Sequence, residues 1–380
     1  MGLTKMQRTA IEKAIEWYYT ESYKKQLFVI GGYAGTGKTF IVKLLIEILG
    51  LATYNVLFCA YTGKAVNVLR MRGNIAQTIH KSFYQIYNNN SILRFKLKKE
   101  LPSIVKLIVI DEGSMINNKI VDDILSFKIP VIMLGDPGQL PPIFGRNTYM
   151  DEPDVFLTEI MRQKDDNGIL ELATKARNNE KISFGTHKNT RVISFDKVTD
   201  IEKYDIVLCW KNSMRIKMNS LIREKLGFTH IYPSRNEKLV CLNNNYVHEV
   251  TYNDIVIVIV NGLNCISLSD VQNIDDEQDT FVLRYKPDFI KENSYYFETR
   301  CNKSIFDNIG DISKCNVAEI PQDIVNIDFG YSLTVHKSQG SEWDNVLVIN
   351  DYGGSNDDYP KWLYTAITRS KKSITIASLY

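Results

Sequence analysis

Residues 32–39 read Gly-Tyr-Ala-Gly-Thr-Gly-Lys-Thr, the complete GxxxxGK[ST] spacing, directly behind the apolar run Leu-Phe-Val-Ile-Gly at 27–31. No other stretch of the chain restricts the fold as much. A short apolar run leading into glycines reads as a buried parallel strand. Residues 40–49 then place apolar side chains at helical spacing. Strand, glycine loop and helix in that order make a cradle for phosphate. Glycines let the backbone turn tightly so that several N–H groups point inward, and the helix N-terminus adds its partial positive charge. The spacing assigns Gly32, Tyr33, Ala34, Gly35, Thr36 and Gly37 to the loop, with Lys38 reaching the β- and γ-phosphates and the Thr39 hydroxyl ligating Mg²⁺. ATP and Mg²⁺ are the expected cofactors.

A phosphate cradle alone hydrolyses nothing. Leu-Ile-Val-Ile at 107–110 runs into Asp111 and Glu112, a strand ending in carboxylates, where parallel sheets gather ligands. Asp111 is the candidate for holding Mg²⁺, and Glu112 the candidate base that orients and deprotonates the attacking water. A third apolar run, 131–134, leads into Gly-Asp-Pro-Gly-Gln-Leu-Pro-Pro at 135–142. Gln139, set among rigid prolines, is placed to sense the γ-phosphate.

The remaining composition narrows the class. With 380 residues, 44% apolar and 24% charged, the chain is globular and long enough for two or three domains. Its longest wholly apolar candidate, 255–260, is far short of the roughly 18 residues needed to cross a bilayer, and the polar N-terminus lacks a signal-peptide pattern. Six cysteines at 59, 209, 241, 265, 301 and 315 form no CxxC pair, which suits reduced thiols in a cytoplasmic setting. The first 100 residues hold 15 Lys and Arg against 5 Asp and Glu, whereas the whole chain balances 46 against 44. A basic N-terminal portion on a neutral chain suits a polyanionic partner.

In this setting the chain resembles a superfamily 1 helicase of the RecD/Dda-like branch. Nine ordered blocks carry the resemblance: 3–7 (Leu-Thr-Lys-Met-Gln), the phosphate loop 32–39, 60–65 (Ala-Tyr-Thr-Gly-Lys-Ala), 78–80 (Thr-Ile-His), 111–115 (Asp-Glu-Gly-Ser-Met), 135–142, 157–163 (Leu-Thr-Glu-Ile-Met-Arg-Gln), 331–342 (Tyr-Ser-Leu-Thr-Val-His-Lys-Ser-Gln-Gly-Ser-Glu) and 363–369 (Leu-Tyr-Thr-Ala-Ile-Thr-Arg). The resemblance implies that Gln7 reads adenine, that Arg162 and Arg369 act as arginine fingers, and that Gly340 and Glu342 meet the nucleotide. It also implies that Thr62, Lys64, Thr78, His80, Thr334, His336 and Lys337 contact a nucleic-acid strand. Gly113 departs from the family pattern, which has a small non-glycine residue there; the departure is expected to matter little.

The expected architecture is α/β: two RecA-like P-loop lobes with parallel sheets and ATP at their seam. Residues 1–150 form the first lobe, and 151–234 with 328–380 the second. Two insertions interrupt them. Residues 84–103, with an Asn-rich turn between β-prone arms, read as a hairpin; by resemblance it is a duplex-splitting pin on which Phe95 stacks against a base. Residues 235–327 carry six short strand signals and read as a small β domain, SH3-like by resemblance. The resemblance implies an ATP-dependent DNA helicase, translocating 5′ to 3′ on single-stranded DNA and opening forked duplex. Such a chain is expected to act as a monomer beside single-strand-binding or replisome proteins, without membrane contact, and in a host cytoplasm if phage-encoded. Two alternatives stay open: an ATPase that remodels protein–nucleic acid complexes without separating strands, and an RNA helicase.

Overall fold

The structure, a computed structural model, describes residues 2–89, 92–160, 168–308, 321 and 323–379. Arg162, Cys315 and the hairpin tip lie outside the described residues. The chain divides into two units, Met1–Asn167 and Gly168–Tyr380.

The first unit has strands β1 (Leu27–Gly32), β2 (Val56–Ala60), β3 (Ala76–Thr78), β4 (Tyr84–Asn89), β5 (Ile92–Leu97), β6 (Leu107–Asp111), β7 (Val131–Gly135) and β8 (Val155–Leu157). Its helices are α1 (Lys5–Glu16), α2 (Lys38–Ile48), α3 (Gly63–Met71), α4 (Ile79–Phe83) and α5 (Asn118–Leu125). Six strands form one sheet in the order β3-β2-β6-β7-β1-β8, and every pair in it is parallel. Side-chain alternation explains why the central strands are apolar throughout. Phe28 and Ile30 face a core with Ile41 and Val42 of α2 and Ala65 and Val66 of α3. Leu27 and Val29 face the opposite core, with Ile79 and Phe83 of α4 and Val121 of α5.

The expected division at 150/151 moves to 167/168. Residues 155–157 pair with β1, Ile30 against Val155 and Gly32 against Leu157, so this strand completes the first sheet. Three residues are too short for the apolar pattern to announce. The expected hairpin is present as β4 and β5, paired antiparallel from Tyr84–Leu97 to Asn89–Ile92.

The second unit opens with α6 (Gly168–Arg177), β9 (Gly185–His187), β10 (Thr190–Ser194), β11 (Ile206–Cys209) and α7 (Asn212–Lys225). A β-rich insertion follows: β12 (Lys238–Cys241), β13 (Asn245–Tyr252), β14 (Ile255–Ile259), β15 (Asn264–Ser267), β16 (Gln272–Asp275), β17 (Thr280–Pro287), β18 (Phe297–Asn302), α8 (Ser304–Asp307), β19 (Ile324–Val325) and β20 (Ile327–Phe329). The chain then returns through β21 (Ser332–Thr334), α9 (Val335–Ser338), β22 (Trp343–Asn350), α10 (Tyr359–Ile367) and β23 (Ser370–Ser378). The main sheet runs β21-β11-β22-β23-β10-β9, parallel except for β9. The insertion holds a seven-stranded sheet and the separate hairpin β13–β14.

At the neck of the insertion its first and last strands pair, Leu239 against Phe329. Two ion pairs tie that neck to α7. Arg215 meets Asp328 at 2.5 Å, and Arg223 meets the wholly buried Glu237 at 2.6 Å. The five described cysteines are buried and free, and burial pushes the Cys59, Cys209 and Cys301 thiols up to about 12. No described helix is long and apolar enough to cross a membrane.

Candidate functional site

The phosphate loop is built on the C-terminal end of β1. Gly35 and Gly37 take left-handed φ values of 82° and 81°, which side chains resist. Gly37 caps α2 from that conformation. Gly32 has no room for a side chain, since a Cβ would lie 2.9 Å from Leu157 Cβ and 3.0 Å from Thr36 Oγ1. The buried Thr36 hydroxyl donates to the Tyr33 carbonyl at 2.9 Å, and the Tyr33 N–H donates to Leu157 O at 3.2 Å. The loop is therefore braced by β8. The Lys38 ammonium donates to the Gly32 and Tyr33 carbonyls at 2.7 and 3.0 Å, which holds it over the loop.

Thr39 and Asp111, 72 residues apart in sequence, meet here. The Thr39 hydroxyl donates to Asp111 Oδ2 at 3.1 Å. A hydroxyl beside a carboxylate is an all-oxygen donor pair that fits Mg²⁺, a hard cation usually held by one or two protein groups plus phosphate oxygens and water. Among the described residues no cluster of three or more His, Cys, Asp or Glu offers a fuller cage.

Glu112 follows with φ 55° and ψ 41°, a left-handed conformation that costs a non-glycine residue on the order of 1 kcal/mol. The surroundings enforce it. The Glu112 N–H donates to Asp111 Oδ1 at 2.9 Å, and Asn147 Nδ2 donates to the Gly113 carbonyl at 2.7 Å. A Cβ on Gly113 would lie 2.5 Å from Met133 Cγ and 3.0 Å from the Leu134 carbonyl. The departure from the family pattern at Gly113 therefore matters: the residue sits where β7 leaves no space. Gln139 is buried, 3.4 Å from Asp136 Oδ2 through Nε2, and its Oε1 has no hydrogen-bond partner.

Gln7, which the resemblance assigns to adenine, is anchored at the start of α1. Thr4 and Gln7 form a reciprocal capping box at the start of α1, with Gln7 Oε1 accepting from the Thr4 N–H at 3.1 Å. Its Nε2 donates to the Thr36 carbonyl at 3.0 Å. The amide thus ties α1 to the phosphate loop, and one of its two N–H donors stays available.

In the second unit the structure gathers Gly340, Glu342 and Arg369. Arg369 is buried, donating to Thr365 O at 3.0 Å, Ser341 O at 3.2 Å and Thr368 Oγ1 at 3.1 Å. Its carbonyl accepts from the Trp343 N–H at 2.9 Å. Gly340 makes the turn with φ 74°.

The three threonines expected to touch nucleic acid are all helix N-caps. Thr62 accepts from the Ala65 N–H, Thr78 from Lys81 and Thr334 from Lys337, at 3.2, 3.3 and 3.4 Å. Lys64 lies in the first turn of α3 with a buried ammonium. Burial lowers the pKa of His80, of His336 and of Lys337, the last also through the nearby Arg215. Phe95 is about half exposed, 5.0 Å from the His80 ring. Lys98, three residues on, donates to the Lys81 and Ser82 carbonyls. Asn147 also braces the site but escapes sequence reasoning, because neither residue type nor spacing marks a partner 34 residues away.

Comparisons with known proteins bear on the family. Residues 2–196 match the AAA domain family, and 329–377 match the UvrD-like helicase C-terminal domain. Protein R530 of Acanthamoeba polyphaga mimivirus is 26% identical, with 98% of each chain covered. The ATP-dependent RecD2 DNA helicase of Deinococcus radiodurans is 24% identical over 91% of this chain, which spans only 46% of that longer protein. A Pif1 helicase structure, described as unwinding DNA at forks through two coordinating copies, aligns with all of this chain and 92% of its own at a TM-score of 0.59 and 19% identity; that likeness shows the fold. With more than half its length matched, the chain belongs to the AAA domain family, and its C-terminal part is similar to the UvrD-like helicase C-terminal domain.

Proposed function

We propose that the chain is an ATP-driven DNA helicase that moves along single-stranded DNA, 5′ to 3′, and opens forked duplex. The observation that carries this reading is the meeting of the Thr39 hydroxyl and the Asp111 carboxylate at the mouth of the phosphate loop. Relatives described as DNA helicases and bound to single-stranded or forked DNA support the choice of substrate.

The chemistry follows from the residues. The loop N–H groups and Lys38 hold the β- and γ-phosphates. Thr39 and Asp111 would hold Mg²⁺, which would supply neutralising charge to the phosphate oxygens. Glu112 takes a proton from the attacking water, whose oxygen bonds to the γ-phosphorus as the bond to ADP breaks. Gln139 orients that water or the γ-phosphate, and Arg369 with Arg162 supplies positive charge to the terminal phosphoryl. Alternating grip on the strand, coupled to hydrolysis, gives movement.

Two measurements test this. Lys38→Ala is expected to lower single-strand-stimulated ATP hydrolysis by about 10²–10³-fold; undiminished turnover removes the engine. Strand displacement on duplexes with a 5′ or a 3′ tail should succeed on the 5′ tail. Release from the 3′ tail alone reverses the direction, and ATPase without release from either leaves a translocase.

A further inference from the structure

The chain beyond Gln139 does not drift away from the carboxylates of β6. It loops out through the exposed Ile143 and Phe144 and turns at Gly145 with φ 81°, where a Cβ would lie 3.2 Å from Asn117 Cβ. From Phe144 to Thr148 it is then fastened to the stretch that leads from Glu112 into α5. Asn117 Nδ2 donates to the Phe144 carbonyl at 3.1 Å, while its Oδ1 accepts from the Ile120 N–H at 3.1 Å and caps α5. The Asn118 N–H donates to the Arg146 carbonyl at 2.8 Å. Asn118 Oδ1 accepts from the Thr148 N–H at 2.9 Å, and its Nδ2 donates to Thr148 Oγ1 at 3.0 Å.

Asn117 and Asn118 do this work at the surface. Asn147 differs: it is buried, and its Nδ2 donates to the Gly113 carbonyl at 2.7 Å. That carbonyl belongs to the residue after Glu112, whose backbone is left-handed. Two other bonds hold the same turn. The Glu112 N–H donates to Asp111 Oδ1 at 2.9 Å, and the Glu112 carbonyl accepts from the Met115 N–H at 3.1 Å. Both come from within residues 111–115, whereas the Asn147 bond comes from 34 residues on. One such bond is comparable in size to the strain of a left-handed non-glycine residue, so it can decide whether the turn keeps its shape. Among the described residues the Asn147 Oδ1 has no hydrogen-bond partner. A leucine would fill the same space without burying an unpaired oxygen. What the amide adds is its donor to Gly113.

We propose that Asn147 is a positioning residue for Glu112: its amide fixes the turn that presents the carboxylate, and makes the far end of the Gln139 segment a support of the base. The inference deepens the reading of Glu112 as the base of ATP hydrolysis and rests on it. The two segments are then joined twice, by the pairing of Ile110 with Met133 at the strands and by the Asn147 bond beyond them. The group that orients the water or γ-phosphate and the group that takes the proton keep one spacing.

The test uses the full chain and ATP hydrolysis stimulated by oligo(dT). Asn147→Leu keeps the side chain's shape and loses its donor. It is expected to lower kcat by about 10- to 100-fold, the effect of a slightly misplaced base, with KM for ATP and affinity for a non-hydrolysable ATP analogue unchanged. Glu112→Gln alone should be about 10²–10⁴-fold slower. On that background Asn147→Leu should add no further loss, because residues that act as one unit are not additive. If circular dichroism shows Asn147→Leu unfolded, Asn147→Ala, which cannot overpack, carries the same measurements. An unchanged kcat, an equal loss on both backgrounds, or weaker ATP binding at full kcat overturns the inference while the base stands. Full turnover in Glu112→Gln removes the base itself, and this inference with it.

Discussion

The two main sheets share one order over five parallel strands, differing at the β8 and β9 edges, but place their special chemistry at different connections. In the first unit the turn after β1 is the glycine-rich phosphate loop, and the link from α3 to β3 spans only residues 72–75. In the second, β10 leads into a plain 3₁₀ turn, Phe195–Lys197, whereas the link from α7 to β21 holds the whole β insertion. The scaffold is thus held constant while loops carry the function. Among the described residues, glycines with left-handed φ directly ahead of a long helix occur in the first unit, at Gly35 and Gly37, a geometry that suits a bound phosphate. The second contributes a buried arginine and a module of its own.

Four experiments bear on that contrast. The largest expected effect is at Arg369. If the second unit supplies a finger to chemistry seated on the first, Arg369→Ala slows stimulated ATP hydrolysis by about 10³–10⁵-fold with nucleotide binding retained. Because its three hydrogen bonds are also structural, circular dichroism must show the variant folded; a folded variant less than tenfold slower would confine catalysis to the first unit.

Next comes the neck of the insertion. Arg223→Ala leaves Glu237 as a buried, unpaired charge and is expected to cost about 3–5 kcal/mol in chemical denaturation. Lys25→Ala, which breaks the exposed pair with Asp154 in the first unit, should cost under about 1 kcal/mol. Equal losses would erase the distinction.

Gly113→Ala forces the new methyl against Met133 and Leu134, and a loss of about 1–3 kcal/mol is expected, with ATPase falling further if Glu112 is displaced. A neutral outcome would show that β7 yields.

The smallest effect is in pH. Both His80 and His336 have pKa values lowered by burial. Between those lowered values and the unfolded value near 6.5, the unfolded chain binds more protons, so each histidine makes stability decline as pH falls below about 6.5. His80→Gln should therefore flatten the difference between urea midpoints at pH 7.5 and 5.5. An unchanged difference would mean His80 titrates normally.

Much of this was legible in sequence. The loop spacing, the Asp-Glu pair after an apolar strand and the length of the β insertion are local patterns, and local patterns survive reading in one dimension. What escaped is relational. β8 is three residues long and acquires meaning only beside β1. Thr4 and Gln7 stand at the capping-box spacing, but the tie from the Gln7 amide to the Thr36 carbonyl, 29 residues on, is one no spacing reveals. Gly113 looked incidental because it has no side chain, yet the absence of one is what the packing demands.

The paired strands at the neck of the insertion have a mechanical consequence. Leu239 lies opposite Phe329, Gly330 packs its backbone onto Leu239, where a Cβ would lie 2.7 Å from the carbonyl oxygen, and two guanidinium groups of one helix grip the junction. A stalk fastened at that many points transmits torque. Any rotation of α7 would be handed on to the β module, whose far end would sweep a longer arc than the helix itself.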